Sequence, residues 1–237
     1  MGIVIREDIE KSMRELKKFI AESKDVSLEG MSEFFTKRVD GYEEHMDFWK
    51  DAYKKFAQLL PRDNMKVLDL GCGTGLEIEE IWKLYPNTYI TGVDMCRDML
   101  DKLCAKKGDK KLKVVCEDYF KYDFGKECYD AVISFESLHH FTADKKVKVY
   151  KKIYNSLKEG SPFILGDYIA CCDEEEQLLQ KVLVEKRKKF NVPDDKFVHF
   201  DIPLTLEHEI EVLKEAGFKD ISVPDSINGA TLIYSVK

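Results

Sequence analysis

Three groups of residues in this chain have types and spacing that could do chemistry. The first is the run Val67, Leu68, Asp69, Leu70, Gly71, Cys72, Gly73, Thr74, Gly75. An apolar stretch that breaks into Gly-x-Gly-x-Gly lets the backbone turn sharply and lets a ligand approach with no Cβ in the way. If a helix follows, its free N–H groups face that ligand. A dinucleotide site would place a third glycine at position 76, which is Leu76, and a Walker-type loop would need Gly-Lys-Ser/Thr, which is absent. The second group is His139 and His140, either of which could act as a general base because imidazole titrates near neutrality. Neighbouring side chains point in different directions, so at most one of the two is expected to face a pocket, and His139 is the candidate. The third group is Asp167, Tyr168 and His199, candidates for contact with a second substrate. Five histidines without a repeated spacing, and seven cysteines without Cys-x-x-Cys, do not make a metal ligand set.

These side chains need a scaffold that the hydrophobic pattern supplies. Residues 1–60 read as helical, with Ile9, Met13, Leu16 and Ile20 on one face and Met46, Trp49, Tyr53, Phe56 and Leu60 on another. Beyond Pro61 the texture changes. Short apolar runs at 66–70, 87–94, 112–118, 129–135 and 162–168 read as strands, alternating with helices at 76–84, 95–107 and 143–157. That alternation predicts βαβ crossovers and a doubly wound, mostly parallel sheet. A helix at 206–216 precedes two strands, 221–223 and 231–236, joined through Asn228 and Gly229. So short a connection forces an antiparallel hairpin at the edge of a seven-stranded sheet. Residues 171–205 stand outside the alternation, a long insertion of the kind that walls or covers a pocket. The expected organisation is one α/β domain over 61–237 with that insertion, plus a helical N-terminal cover over 1–60.

In this order the motifs resemble those of class I S-adenosylmethionine (SAM)-dependent methyltransferases. The resemblance spans roughly residues 66–168. It implies that Gly71, Cys72, Gly73 and Gly75 bind the cofactor, and that Asp94, ending the second strand, takes the ribose hydroxyls. It implies that Asp118 accepts from the adenine amino group, and that Met95, Tyr119, Phe120 and Phe135 sandwich the ring. Ser134 and Phe135 belong to the fourth-strand motif that lines the cofactor. The stretch 34–42 is similar to the cofactor-covering segment of small-molecule members, with Tyr42 closing over the methionine half and Arg38 pairing with its carboxylate. The implied reaction transfers the SAM methyl to a nucleophilic atom of a small molecule and leaves S-adenosylhomocysteine (SAH).

Composition narrows the alternatives. The 237 residues carry 38 Lys and Arg against 45 Asp and Glu, a net charge of −7, with 44% hydrophobic residues. An acidic chain is a poor phosphate-backbone or membrane-surface binder, so nucleic acid and membrane are not expected partners. No apolar run is long enough to span a bilayer and no secretory signal is visible, which with the unpatterned cysteines points to the cytoplasm. Two other functions fit the same cofactor motifs: a catalytically silent SAM-binding subunit, and a methyltransferase acting on RNA or protein. A nicotinamide oxidoreductase is disfavoured by Leu76 and by the antiparallel edge. The acceptor, the need for a base and the oligomeric state are not written in the motifs.

Overall fold

From Lys66 onward the chain, seen in a computed structural model that describes residues 4–237, alternates strand and helix. The first three residues of the segment expected to be helical lie outside the described residues. The sheet elements are β1 (Lys66–Leu70), β2 (Tyr89–Asp94), β3 (Leu112–Cys116), β4 (Ala131–Phe135), β5 (Pro162–Tyr168), β6 (Lys219–Ile227) and β7 (Ala230–Val236). Their order is β3-β2-β1-β4-β5-β7-β6. The first five pair in parallel; β7 runs antiparallel to both β5 and β6. The hairpin turn has positive φ at Asn228 (52°) and Gly229 (91°), the backbone that matches strand twist in a two-residue turn. β6 is longer than the expected 221–223 because two register shifts let it stay paired along the edge.

Both faces of the sheet are dry, which is why the strands read as continuous apolar runs. On one face Leu68, Leu70, Val132, Phe163 and Leu165 pack with residues of α7 (Ala143–Ser156) and α9 (Leu206–Ala216). On the other, Val67, Ile133 and Ile164 pack with α5 (Leu76–Leu84), α6 (Arg97–Lys106) and α4 (Lys50–Ala57). The N-terminal segment is thus two things. Ala52, Tyr53, Phe56 and Ala57 of α4 are built into the core. Ahead of them α1 (Ile9–Glu22), α2 (Met31–Thr36) and α3 (Tyr42–Met46) lie nearer the surface, and of the expected α1 face only Met13 is fully buried.

Residues 171–205 form α8 (Asp173–Phe190) and an extended return. Four acidic residues open α8 and Arg187, Lys188 and Lys189 close it, the polarity that a helix dipole favours. This insertion is stitched to the N-terminal segment. Lys186 Nζ donates to the carbonyls of Ser23 (2.6 Å) and Val26 (2.9 Å). His199 N donates to Glu29 O, Met31 N donates to Phe197 O, and Gly30 bridges Val198.

Strand order reverses between β1 and β4, because β1 has β2 on one side and β4 on the other. The connections leaving these strands part there and open a crevice at their carboxyl ends, the usual ligand position in such sheets.

One buried ion pair holds the helices behind the sheet. Lys146 Nζ of α7 lies 2.5 Å from Glu209 Oε2 of α9, the Tyr150 hydroxyl donates to Oε1, and all three side chains are excluded from water. Removing one partner would strand the other charge in an apolar core. Glu209→Ala is therefore expected to destabilise the fold by about 3–5 kcal/mol in denaturant titration. The paired change Lys146→Met with Glu209→Leu should lose much less, and equal losses would mean the pair is not what ties α7 to α9.

Candidate active site

The crevice is built on the glycine turn after β1. Gly71 N donates to Val93 O (2.8 Å), which folds the turn back onto β2. At φ +74° Gly71 lies in the left-handed region, and a Cβ there would fall 2.0 Å from Ser137 Oγ, so this position admits only glycine. Gly73, at φ +47°, faces more open space; a Cβ would come 3.4 Å from Met99 Cε and 3.9 Å from the Tyr42 hydroxyl. Asp94, ending β2, ties the turn in place: Oδ2 accepts from Gly73 N (2.9 Å) and Oδ1 from Cys96 N (2.7 Å). Burial raises its carboxyl pKa, and those N–H groups oppose the shift.

A cleft runs from this turn along the strand ends. Gly71, Gly73, Asp94, Met95, Asp118, Tyr119 and Phe135 line it, with Tyr42 and Phe35 from the N-terminal segment and Phe197 from the insertion. Asp118 caps its own turn, accepting from Phe120 N (2.8 Å). Several expected contacts fall elsewhere. Cys72 packs over Gly92, where a Cβ would meet its sulfur at 2.7 Å, and burial raises its thiol pKa. Gly75 caps α5 in the left-handed conformation and, with Cys72, borders a small separate cavity under the turn. Phe120 turns to the core beside Phe141. Ser134 is wholly buried and donates to Leu70 O (2.8 Å), so it joins β4 to β1 and does not line the cleft. Arg38 lies 2.8 Å from Glu29 and 3.7 Å over the Phe34 ring, outside the cleft.

Beside the cleft is a chamber of about 630 Å³, within the range of small-molecule pockets, roughly 300–1,000 Å³. Phe34, Phe35, Arg38, Tyr42 and Trp49 of the N-terminal segment line it together with Glu136, His139, His140, His199 and Asp201. His139 Nδ1 lies 2.6 Å from Asp167 Oδ1 and its Nε2 3.5 Å from Asp201 Oδ1. Burial alone would lower the His139 pKa, but Asp167 outweighs it and holds the imidazole in its charged form, well above the ordinary range. His140 is the opposite case. Burial and the His139 charge lower its pKa, and its Nδ1 is 3.2 Å from Phe200 O, which leaves Nε2 as the lone-pair nitrogen. Between the two expected bases, the neutral imidazole that lines both cleft and chamber is His140. His199 stacks on Phe34 at 3.5 Å, and burial pushes its pKa down to about 4. Asp167 is fully buried behind His139, and the Tyr168 hydroxyl turns to Glu175, away from the chamber.

Sequence reading missed Glu136 and Asp201. Glu136 follows β4 with φ +48°, a conformation that costs a non-glycine residue of order 1–3 kcal/mol. Burial pushes its carboxyl up to about 8, His139 relieves this in part, and Asp167 and Asp201 add to it. Asp201 goes the other way: against burial, His139 and His140 hold it well below the ordinary range. The sequence shows no acidic cluster because Glu136 follows β4, Asp167 lies in β5 and Asp201 follows α8; in space they surround His139, and the ligand-capable atoms of Glu136, His139 and Asp167, and those of His139, His140 and Asp201, lie within 4.8 Å of one another in each group. The one signal was Glu136 itself, a charged residue directly after a buried strand.

Known proteins resemble this chain in sequence and in fold. A family model described as methyltransferase domain matches residues 67–160. A carboxy-S-adenosyl-L-methionine synthase of Nautilia profundicola is 26% identical over 204 residues, 81% of this chain and 83% of its own length. Cycloartenol-C-24-methyltransferase of Arabidopsis thaliana is 31% identical over 170 residues, 69% of this chain and 47% of its own. Human N-acetylserotonin methyltransferase, solved in complex with SAM, shares the fold with a TM-score of 0.63 at 18% identity, over 98% of this chain and 63% of its own. The chain is a class I SAM-dependent methyltransferase. Among the described residues no helix is long and apolar enough to cross a membrane.

The acid–histidine wall gives stability a pH dependence. Glu136 is raised from 4.5 to about 8 and His139 is raised from 6.5, so in both the folded state holds its proton more tightly than the unfolded chain. Their contributions are present below the unfolded values and are lost as pH rises through the folded ones. Stability should therefore begin to fall above about pH 4.5 through Glu136, whose part is complete past about 8, and fall more steeply above 6.5, where His139 joins it. Glu136→Gln, which cannot ionise, should flatten that fall in melting temperatures taken across pH 5–9; an unchanged slope would remove Glu136 as its source.

Proposed function

We propose that this methyltransferase binds SAM in the cleft, transfers its methyl group to a small molecule held in the adjoining chamber, and releases SAH. The observation that carries the reading is that cleft and chamber share Phe35, Tyr42, Glu136 and His140, so a ligand in one abuts a ligand in the other. The residues present fit the cofactor. Each oxygen of Asp94 keeps a second lone pair beyond its backbone bond, enough for a ribose diol. Met95 and Tyr119 line the cleft between Asp94 and Asp118 as an adenine slot would require, and the open face of Gly73 leaves room for the methionine half.

Bound SAM supplies a methyl carbon on a cationic sulfonium. The chain's own part is to position and to dry the site. Phe35, Tyr42 and Phe197 shield the reacting atoms from water, and a weakly polar surround favours a transition state in which charge disperses. Tyr42 stays protonated because burial raises its pKa, so it offers a hydrogen-bond donor without a charge. Where the acceptor must lose a proton, His140 takes it at Nε2, and His139, fixed by Asp167, keeps the neighbouring imidazole neutral by its own charge. Arg38, engaged with Glu29 and Phe34, belongs to the chamber wall in this reading, and Cys72, Gly75, Phe120 and Ser134 shape the cleft from behind. Seven free thiols suit a reducing compartment, so the cytoplasm is the proposed location.

A second reading rests on the similarity to a carboxy-S-adenosyl-L-methionine synthase over 81% of this chain. A carboxylate handled in this chamber would meet Glu136 and Asp201, and Arg38, the guanidinium in its wall, is already paired with Glu29. Methyl transfer therefore fits the charge better. Mass spectrometry of the spent cofactor separates them: SAH supports methyl transfer, carboxylated SAM the alternative, and no conversion of any kind a silent subunit.

Asp94→Ala should weaken SAH binding by about 1–3 kcal/mol, the scale of hydrogen bonds to a charged group, with the fold retained. Calorimetry that returned the unmodified affinity would take Asp94 out of the site.

A further inference from the structure

Resting on the reading that SAM occupies the cleft, we propose that the chamber selects an amine: a small aromatic or apolar molecule whose cationic nitrogen is held by the Glu136 carboxyl against the aromatic wall. Glu136 Oε1 is buried without a hydrogen-bond partner, whereas Asp201 Oδ1 lies against both imidazoles and Asp167 is buried behind His139, outside both cavities. A buried acceptor without a donor is costly, and the Glu136 oxygen, on a residue that lines both cavities, calls for a donor from a ligand. A carboxylate would bring no donor and a second negative charge, and a hydroxyl brings a single neutral donor. An ammonium brings only donors.

The charges agree. Asp167 and Asp201 share the His139 imidazolium. Burial keeps His140 and His199 neutral, and the Arg38 charge goes to Glu29. The cation nearest Glu136 is that same His139 imidazolium, 3.8 Å from Oε2 and already bonded to Asp167, and in the free protein Glu136 retains its own proton, its carboxyl being pushed up to about 8. When an ammonium binds, that proton leaves to solvent and the carboxylate pairs with the cation. Phe35 and Tyr42 also line the chamber, and ring faces attract a desolvated cation; the Phe34 ring is already taken, stacked on His199 and covered by the Arg38 guanidinium. The Trp49 indole N–H, also buried and unpartnered, offers a donor to an oxygen on the body of the molecule. Glu136 reaches both cavities from a strained backbone, so the nitrogen it holds lies at their junction.

The step balances without another reactant. The ammonium gives one proton to His140 Nε2. The lone pair so exposed forms the bond to the methyl carbon as that carbon's bond to sulfur breaks, and the bonding electrons stay on sulfur. The product departs as the methylated ammonium, and His140 returns its proton to solvent.

The test uses the full chain saturated with SAH and two matched sets in calorimetry: 2-phenylethylamine, 2-phenylethanol and 3-phenylpropanoate, then tryptamine, tryptophol and indole-3-propanoate. In each set the amine is expected to bind at least tenfold more tightly. Glu136→Gln should erase that preference while SAH and the alcohols change less than twofold. Should the Gln variant lose SAH binding, Glu136→Asp carries the test, with the amines expected to weaken at least threefold and the alcohols unchanged. Alcohols or carboxylates binding as tightly as the amines, no amine binding at all, or a preference that survives both variants would overturn the proposal and leave the cofactor reading standing. Failure of the unmodified protein to bind SAH would instead overturn the cofactor reading.

Discussion

Everything at this site hangs from one carboxylate. Asp94 accepts from Gly73 on one oxygen and from Cys96 on the other, so the turn after β1 and the turn after β2 are one rigid piece. Gly71, bonded to Val93 O in the same corner, brings the turn so close to Ser137 that the loop after β4 is registered too. Three loops from three strands share a few ångströms of backbone. That fixes the floor of the cleft, and through Glu136, His139 and His140 it also fixes the near wall of the chamber.

The chamber wall works by unequal charge. Two adjacent imidazoles of one short turn are driven apart in proton affinity because one meets Asp167 and the other meets mostly burial and its neighbour's charge. Two carboxyls diverge for the same kind of reason: Asp201 sits beside both imidazoles, whereas Glu136 faces burial and two other acids. Groups of one chemical type thereby take different protonation states within a single wall, the condition under which one can hold a proton and its neighbour can take one.

Much of the scaffold was legible because local and global patterns agree. The ranges 66–70, 76–84, 162–168 and 206–216 match the observed elements, since Gly75, Gly160, Pro162 and Thr205 mark their ends by backbone chemistry. The hairpin was legible from Asn228 and Gly229. Side-chain direction was not. Ser134 and Phe135 are neighbours in one motif, yet strand alternation sends the first into the sheet and the second to the cleft. Arg38 has the right type for a carboxylate partner, but Glu29, nine residues earlier, competes for it. His139 and His140 could be told apart only by which acid lay against each, and those acids come from segments beyond β5's start and beyond α8, which no spacing rule connects.

The stitching between the N-terminal segment and the insertion has a thermodynamic consequence. Residues 23–31 and 186–199 meet through backbone carbonyls and amides, not through exchangeable surface side chains alone. Separating one strip from the other therefore breaks all of these bonds together, so the two strips hold or open as one cooperative unit.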